Sequence, residues 1–169
     1  VVGWFQGRME FGDRALGSRS ILADPRDPDM KERLNRAVKY REAFRPFAPS
    51  ILAARQSVYV AADRAIASPY MDKALPIRQT LRAQIPAVVH ADGSARIQTV
   101  EPGQHPLFYS MIEAFERRTG VPLVLNTSFN VAGEPIVESP TDAIRTFFAS
   151  GLDALAIGSF ILCKTGCKP

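Results

Sequence analysis

The sequence predicts an α/β domain of the α+β type, in which one layer of twisted, mixed sheet carries helices packed against it. Three observations point to this class. Short apolar, strand-like runs (Ser50-Ile51-Leu52-Ala53, Leu123-Val124-Leu125, Leu155-Ala156-Ile157 and Phe160-Ile161-Leu162) are interspersed with helical stretches. Phe108, Met111, Ile112 and Phe115 fall at i, i+3, i+4 and i+7, and Gly120 and Pro122 stop that helix. Ser139-Pro140-Thr141-Asp142 opens a further helix with serine as cap and proline first. Its apolar stripe is Ala143, Ile144, Phe147 and Phe148, and Gly151 closes it.

The remaining elements follow in chain order. Val1-Val2-Gly3-Trp4 is strand-like. Asp27-Pro28-Asp29 places a cap before a proline at the first helical position, and Met30, Leu34, Ala37 and Val38 share one face of the helix that follows. Pro46 and Pro49 end any helical pattern before the strand at Ser50. Tyr70-Met71 and Leu75-Pro76-Ile77 read as extended, with a short helical turn over Arg78 to Gln84. Asp92-Gly93, flanked by Ala87-Val88-Val89-His90 and Ala95-Arg96-Ile97-Gln98, predicts a β-hairpin.

Composition removes whole classes. The 169 residues suffice for one compact domain and are too few for two ordinary ones. At 46% hydrophobic and 22% charged the chain is of globular composition. No apolar run approaches the ~20 residues of a membrane helix, so no membrane partner is expected. The sequence opens on Val1 without a signal-peptide pattern, so we expect a piece of a longer, cytoplasmic protein. Cys163 and Cys167 form a lone C-x₃-C, which is neither a disulfide framework nor good metal spacing, and no metal held by protein ligands is expected. The net charge of +4, from 21 basic residues against 17 acidic, suits an anionic ligand and is mild for a nucleic-acid binder.

Four segments carry polar groups that folding alone does not require. Gly12 to Ser20 pairs its glycines with Arg14 and Arg19, whose guanidinium forks can hold an anion, although a helix-entry turn explains the pattern as well. Lys39, Arg41 and Arg45 lie within seven residues and precede a stiff Pro-x-x-Pro. Lys39 and Arg41, two apart, share a face only on extended backbone. His90, Asp92, Arg96 and Gln98 have even parity, as do Asn126, Ser128 and Asn130, which follow a buried strand together with Thr127. The end of a strand is where open α/β sheets bind ligands. Solvated charge, turn capping and a satisfied structural histidine are the bland explanations for these residues.

In this order the segments resemble the C-terminal domain of the nodulation and antibiotic O-carbamoyltransferase family. The resemblance is carried by Gly7-Arg8-Met9-Glu10-Phe11-Gly12, Arg14-Ala15-Leu16-Gly17, Arg45-Pro46-Phe47-Ala48-Pro49-Ser50, Asp92-Gly93-Ser94-Ala95-Arg96, and Leu125-Asn126-Thr127-Ser128-Phe129-Asn130 with Gly133-Glu134-Pro135-Ile136. Asp13 stands where the family usually has proline, and Ser94 where it usually has threonine.

The resemblance implies a YrdC-like fold around an open basic cavity. Residues 1–28 would connect to a Kae1-like domain in the N-terminal part of the same chain, and residues 29–169 would form the YrdC-like domain. That domain would bind carbamoyl phosphate and ATP, with Mg²⁺ carried by the ATP, and form carbamoyl-adenylate for transfer to an acceptor hydroxyl by the Kae1-like domain. Two YrdC signatures recur, K-x-R as Lys39-Tyr40-Arg41 and S-x-N as Ser128-Phe129-Asn130. Lys39, Arg41, Ser128 and Asn130 are thus the expected catalytic residues, with Arg14, Arg19, Arg45, His90, Arg96, Asn126 and Thr127 as ligand-binding residues. A chain rich in arginine and lacking an evident nucleophile suits chemistry that gathers phosphate charge. The alternatives are a YrdC-like RNA-binding or tRNA-modification module, which the mild charge opposes, and an inactive nucleotide-binding scaffold.

Overall fold

The computed structural model describes residues 1–42 and 44–164, and so Cys167 lies outside the described residues. In chain order the elements are β1 (Val2–Phe5), β2 (Arg19–Ala23), α1 (Met30–Leu34), which runs into a π-helical turn (Asn35–Lys39), β3 (Ala48–Leu52) and the single turn α2 (Gln56–Tyr59). There follow β4 (Lys73–Pro76), β5 (Ser94–Val100), α3 (Pro106–Thr119), β6 (Leu123–Ser128), α4 (Pro140–Ala149), β7 (Ala154–Ile157) and β8 (Phe160–Cys163). The eight strands make one mixed sheet in the order β4-β5-β3-β6-β2-β1-β7-β8. The β3–β5 and β1–β7 pairs are parallel and the others antiparallel.

This is the single α/β layer the sequence predicts, with two differences. Residues 1–28 do not merely connect: they supply β1 and β2, which lie side by side inside the sheet between β6 and β7. The Asp92-Gly93 turn forms, with His90 N–H on Ser94 O at 2.7 Å and Gly93 at φ +81°, but its incoming arm is not a strand. Pro86–Val88 is a 3₁₀ turn whose Ala87 N–H reaches back to Pro25 O, because Ile85, Ala87 and Val88 are drawn into the core. The antiparallel partner of β5 is therefore β4.

The two faces of the sheet follow from strand parity. Odd-numbered Phe5, Ile21, Ile51, Ile97, Leu123 and Leu125 join Leu34 and Val38 and Ala143 and Phe147 of α4 in the larger core. Even-numbered Trp4, Leu22, Leu52, Val100 and Val124 pack under Phe108 and Ile112 of α3. Each such fully buried side chain contributes about 1.5–3 kcal/mol. The ends of the long helices behave as their sequences require. Gly120 takes the left-handed C-terminal position of α3, and Ser139 and Asp142 form a reciprocal capping box at α4. Among the described residues no helix is long and apolar enough to cross a membrane.

On the even face the polar residues come together where α3 does not reach. Ser50, Gln98 and Asn126 lie on the neighbouring strands β3, β5 and β6, and all three are buried. The loop of residues 12–18 lies over them.

Candidate functional site

Beyond the covered polar patch, a cavity of about 80 Å³ opens at the C-terminal end of β6. Its walls are Asp13 and Arg14 from the loop, Arg41, the Pro46-Phe47-Ala48 stretch, Met71, Arg96 of β5, and Asn126, Thr127 and Ser128 of β6. Three guanidinium groups from distant parts of the chain thus face one small polar space. They perturb one another. Burial lowers the Arg41 pKa, and Arg45 and Arg96 lower it further. Burial also lowers that of Arg96, with Arg14 adding to the effect and Asp13 opposing it. Among the described residues Asp13 is the only carboxylate on the wall, 3.8 Å from Arg14 and largely exposed. Such a cluster favours an anion, which would satisfy the forks and relieve their repulsion.

Arg41 reaches the cavity, and Lys39 the residues behind its wall, by an unexpected backbone route. The chain between them is not extended. The π turn ends with Tyr40 N–H on Asn35 O at 2.6 Å, and Tyr40 sits in the left-handed region at φ 43° with its ring exposed. This reversal sends both cations toward the end of β6. Lys39 is 6% exposed, and its Nζ donates to Ser128 O (2.6 Å), Ser128 Oγ (3.2 Å), Asn130 O (3.1 Å) and Asn130 Oδ1 (2.8 Å). The Ser128 hydroxyl donates to the same Asn130 Oδ1 at 2.7 Å, and Asn130 Nδ2 donates to Glu134 O at 2.7 Å. Burial, reinforced by Arg41, pulls the Lys39 ammonium down to about 7. Arg41 stacks 4.4 Å from the Phe47 ring centroid and donates from Nε to Asn35 Oδ1 at 3.2 Å. Met71, which carries the second left-handed non-glycine backbone at φ 55°, lines the same cavity.

Of the residues expected at a site, Arg14, Arg41, Arg96, Asn126, Thr127 and Ser128 line this cavity. Lys39 and Asn130 stand immediately behind Ser128 as a brace. Three lie elsewhere. Arg19 is buried, its guanidinium 3.5 Å from the Phe5 ring centroid and donating to the carbonyls of Gln6, Gly7, Ser18 and Glu138. It clamps the chain and is not a wall of the cavity. His90 takes part in the turn before β5, with Nδ1 3.1 Å from Ser94 Oγ. Arg45 is exposed and affects the site only through its charge on Arg41.

Sequence reasoning singled out Gln98 and Asn126 but missed that they, with Trp4, Glu10 and Ser20, hold the 12–18 loop in place. The carbonyls of Ala15, Leu16 and Gly17 accept from Asn126 Nδ2 (3.1 Å), Gln98 Nε2 (2.8 Å) and Trp4 Nε1 (2.7 Å). The amides of Leu16 and Ser18 both donate to Glu10 Oε1 at 2.7 Å, and that of Gly17 to Ser20 Oγ at 3.1 Å. Ser50 Oγ donates to Gln98 Oε1 at 2.6 Å and accepts from Asn126 Nδ2 at 2.9 Å, tying the straps together. The even parity of Gln98 and Asn126 was the available signal. Among the described residues no group of three or more His, Cys, Asp or Glu is placed to hold a metal ion.

The carbamoyltransferase C-terminus family matches residues 1–164. The chain is 48% identical over its whole length to the nodulation protein NolNO of Sinorhizobium fredii. It is 47% identical over 97% of its length to NolO of Bradyrhizobium diazoefficiens. It is 35% identical over 94% of its length to the 3'-hydroxymethylcephem-O-carbamoyltransferase of Amycolatopsis lactamdurans. It spans 25%, 30% and 29% of the length of these three relatives, respectively. With 164 of its 169 residues matched by the family, and with Arg14, Arg96 and Asn126-Thr127-Ser128 of the resembling segments on one cationic cavity, the chain belongs to the carbamoyltransferase C-terminus family.

Proposed function

We propose that the chain is the part of an ATP-dependent O-carbamoyltransferase that binds carbamoyl phosphate and ATP and forms carbamoyl-adenylate. The acceptor hydroxyl would be carbamoylated by a further, Kae1-like region of the longer protein. The observation that carries this reading is the convergence of Arg14, Arg41 and Arg96 on a space of about 80 Å³ with Ser128 on its wall. That volume suits a phosphate or a carbamoyl group and not a whole nucleotide. Arg41 also walls a larger, shallower hollow of about 680 Å³ formed with Pro28, Lys31, Glu32, Asn35, Arg36 and Tyr40, which offers room for the rest of the nucleotide.

The chemistry suits these groups. Water cleaves carbamoyl phosphate to carbamate and inorganic phosphate. A carbamate oxygen then bonds to the α-phosphorus of ATP as the bond to pyrophosphate breaks. Charge builds on phosphate oxygens throughout, and fixed guanidinium groups stabilise it without a covalent intermediate on the protein. With Asp13 as the only carboxylate on the wall among the described residues, the donor set fits a Mg²⁺ held by the nucleotide's phosphates and not by a protein cage.

The test is carbamoyl-phosphate-dependent exchange of labelled pyrophosphate into ATP. Exchange by the chain, reduced in Arg41→Ala by the loss of a charged contact of about 1.5–3 kcal/mol, is the expected result. Absence of exchange together with absence of binding to either substrate would overturn the proposal.

A further inference from the structure

We propose that Glu10 is a positioning residue for the anion cavity, acting through Arg14; this rests on the cavity's being the ligand site. Repulsion among Arg14, Arg41 and Arg96 falls on whichever guanidinium is least restrained. Arg41 is held by Phe47 and Asn35, and Arg96 stands on a strand within the sheet. Arg14 stands on a loop, with its side chain 44% exposed and, among the described residues, only Asp13 as ion partner at 3.8 Å. On its N-terminal side is Gly12 at φ +129°, where even an added Cβ would meet nothing within 4 Å.

Restraint comes from the C-terminal side, through the side chains that take the main-chain groups of residues 15–18. Four of those side chains belong to the sheet and would be present wherever the loop went. Glu10 belongs to the loop itself. Its Oε1 accepts from Leu16 and Ser18 at 2.7 Å each and from Arg19 N–H at 3.4 Å, closing residues 10–19 into a ring. A carboxylate accepting amides makes hydrogen bonds roughly twice as strong as neutral ones. Glu10 is not on the cavity wall, and so its effect on a ligand passes through the place where Arg14 leaves the main chain.

Binding of inorganic phosphate to the 169-residue chain, measured by calorimetry, provides the test. Glu10→Ala should weaken binding about tenfold, while Glu10→Gln, which keeps an acceptor oxygen at the same reach, should restore it to within about twofold. If the Ala variant fails to fold, Glu10→Asp, one methylene too short for the two amides, takes its place. Adding Arg14→Ala to the weakened Glu10 variant should cost little more, since the two act as one unit. Independent, additive losses, or a Glu10 variant that folds and binds normally, would overturn the proposal while a weakened Arg41→Ala leaves the site intact. A wild-type chain that binds no phosphate overturns the site and this inference with it.

Discussion

Ser128 and Asn130 look alike in the sequence, and the structure separates their work. Ser128 stands on the cavity wall, whereas Asn130 lies behind it, accepting from Lys39 Nζ and from the Ser128 hydroxyl through one oxygen. Ser128→Ala should therefore weaken phosphate binding with the smaller drop in melting temperature, since of the Lys39 contacts it loses only the longer one at 3.2 Å, and Lys39 Nζ keeps Ser128 O at 2.6 Å and Asn130 Oδ1 at 2.8 Å. Asn130→Ala strips an acceptor from a buried ammonium and should cost about 1.5–3 kcal/mol of stability, read as a clear drop in melting temperature. Equal stability losses in both would sink the distinction. Lys39 gives a pH signature. Its folded pKa of about 7 lies below the unconstrained 10.5, so between these values the unfolded chain binds the proton and the native chain does not. Its destabilising effect is complete below pH 7 and is relieved as pH rises toward 10.5. Wild-type stability should accordingly rise over that window relative to Lys39→Met, as measured by denaturant unfolding at a series of pH values, and parallel profiles would refute it. The spacing of these residues was legible in the sequence because parity places Asn126, Ser128 and Asn130 on one side. Their division into wall and brace was not, since it depends on a π turn and a left-handed Tyr40 that no local propensity demands.

The elements that the sequence displays most openly are those whose signals are local. The stripe and glycine stop of α3 and the capping box of α4 stand where their residues predict. The 87–98 hairpin fails for a non-local reason: the arm before Asp92 finds a better apolar environment in the core, and β4 takes its place beside β5. The 12–18 loop was equally hidden, because side chains from β1, β2, β5 and β6 satisfy its main chain and no short window of sequence contains them. Gly17 shows how tightly the loop fits between sheet and helix. It has φ +116°, and a Cβ there would lie 2.4 Å from the Phe108 ring of α3. Gly17→Ala therefore combines backbone strain with overpacking and should cost at least about 2 kcal/mol. It should also displace Arg14, so that phosphate affinity falls together with the melting temperature. A variant that melts and binds like wild type would show that the loop yields freely.

Over the whole molecule, the position of β1 and β2 decides where the domain begins. The resemblance to a two-domain family implies that residues 1–28 are a connector to a Kae1-like domain. In the sheet they are internal: β2 is the antiparallel partner of β6, and β1 joins β2 to the β7–β8 hairpin. Removing them would expose the long edge of β6 and leave β7 without its parallel partner. It would also uncover Phe129, whose ring packs within 2.9 Å of where a Cβ on Gly3 would lie. Trp4, Phe5, Ile21 and Leu22, buried on both faces, would go with them. Four such side chains at about 1.5–3 kcal/mol each already match the 5–15 kcal/mol by which a domain is usually stable. A chain starting at residue 29 should therefore show no cooperative thermal transition, whereas the chain from residue 1 should unfold in one step and gain stability with the logarithm of phosphate concentration above its Kd. A cooperative, phosphate-binding 29–169 fragment would place the boundary back at residue 28 and make the first two strands an accessory to the fold.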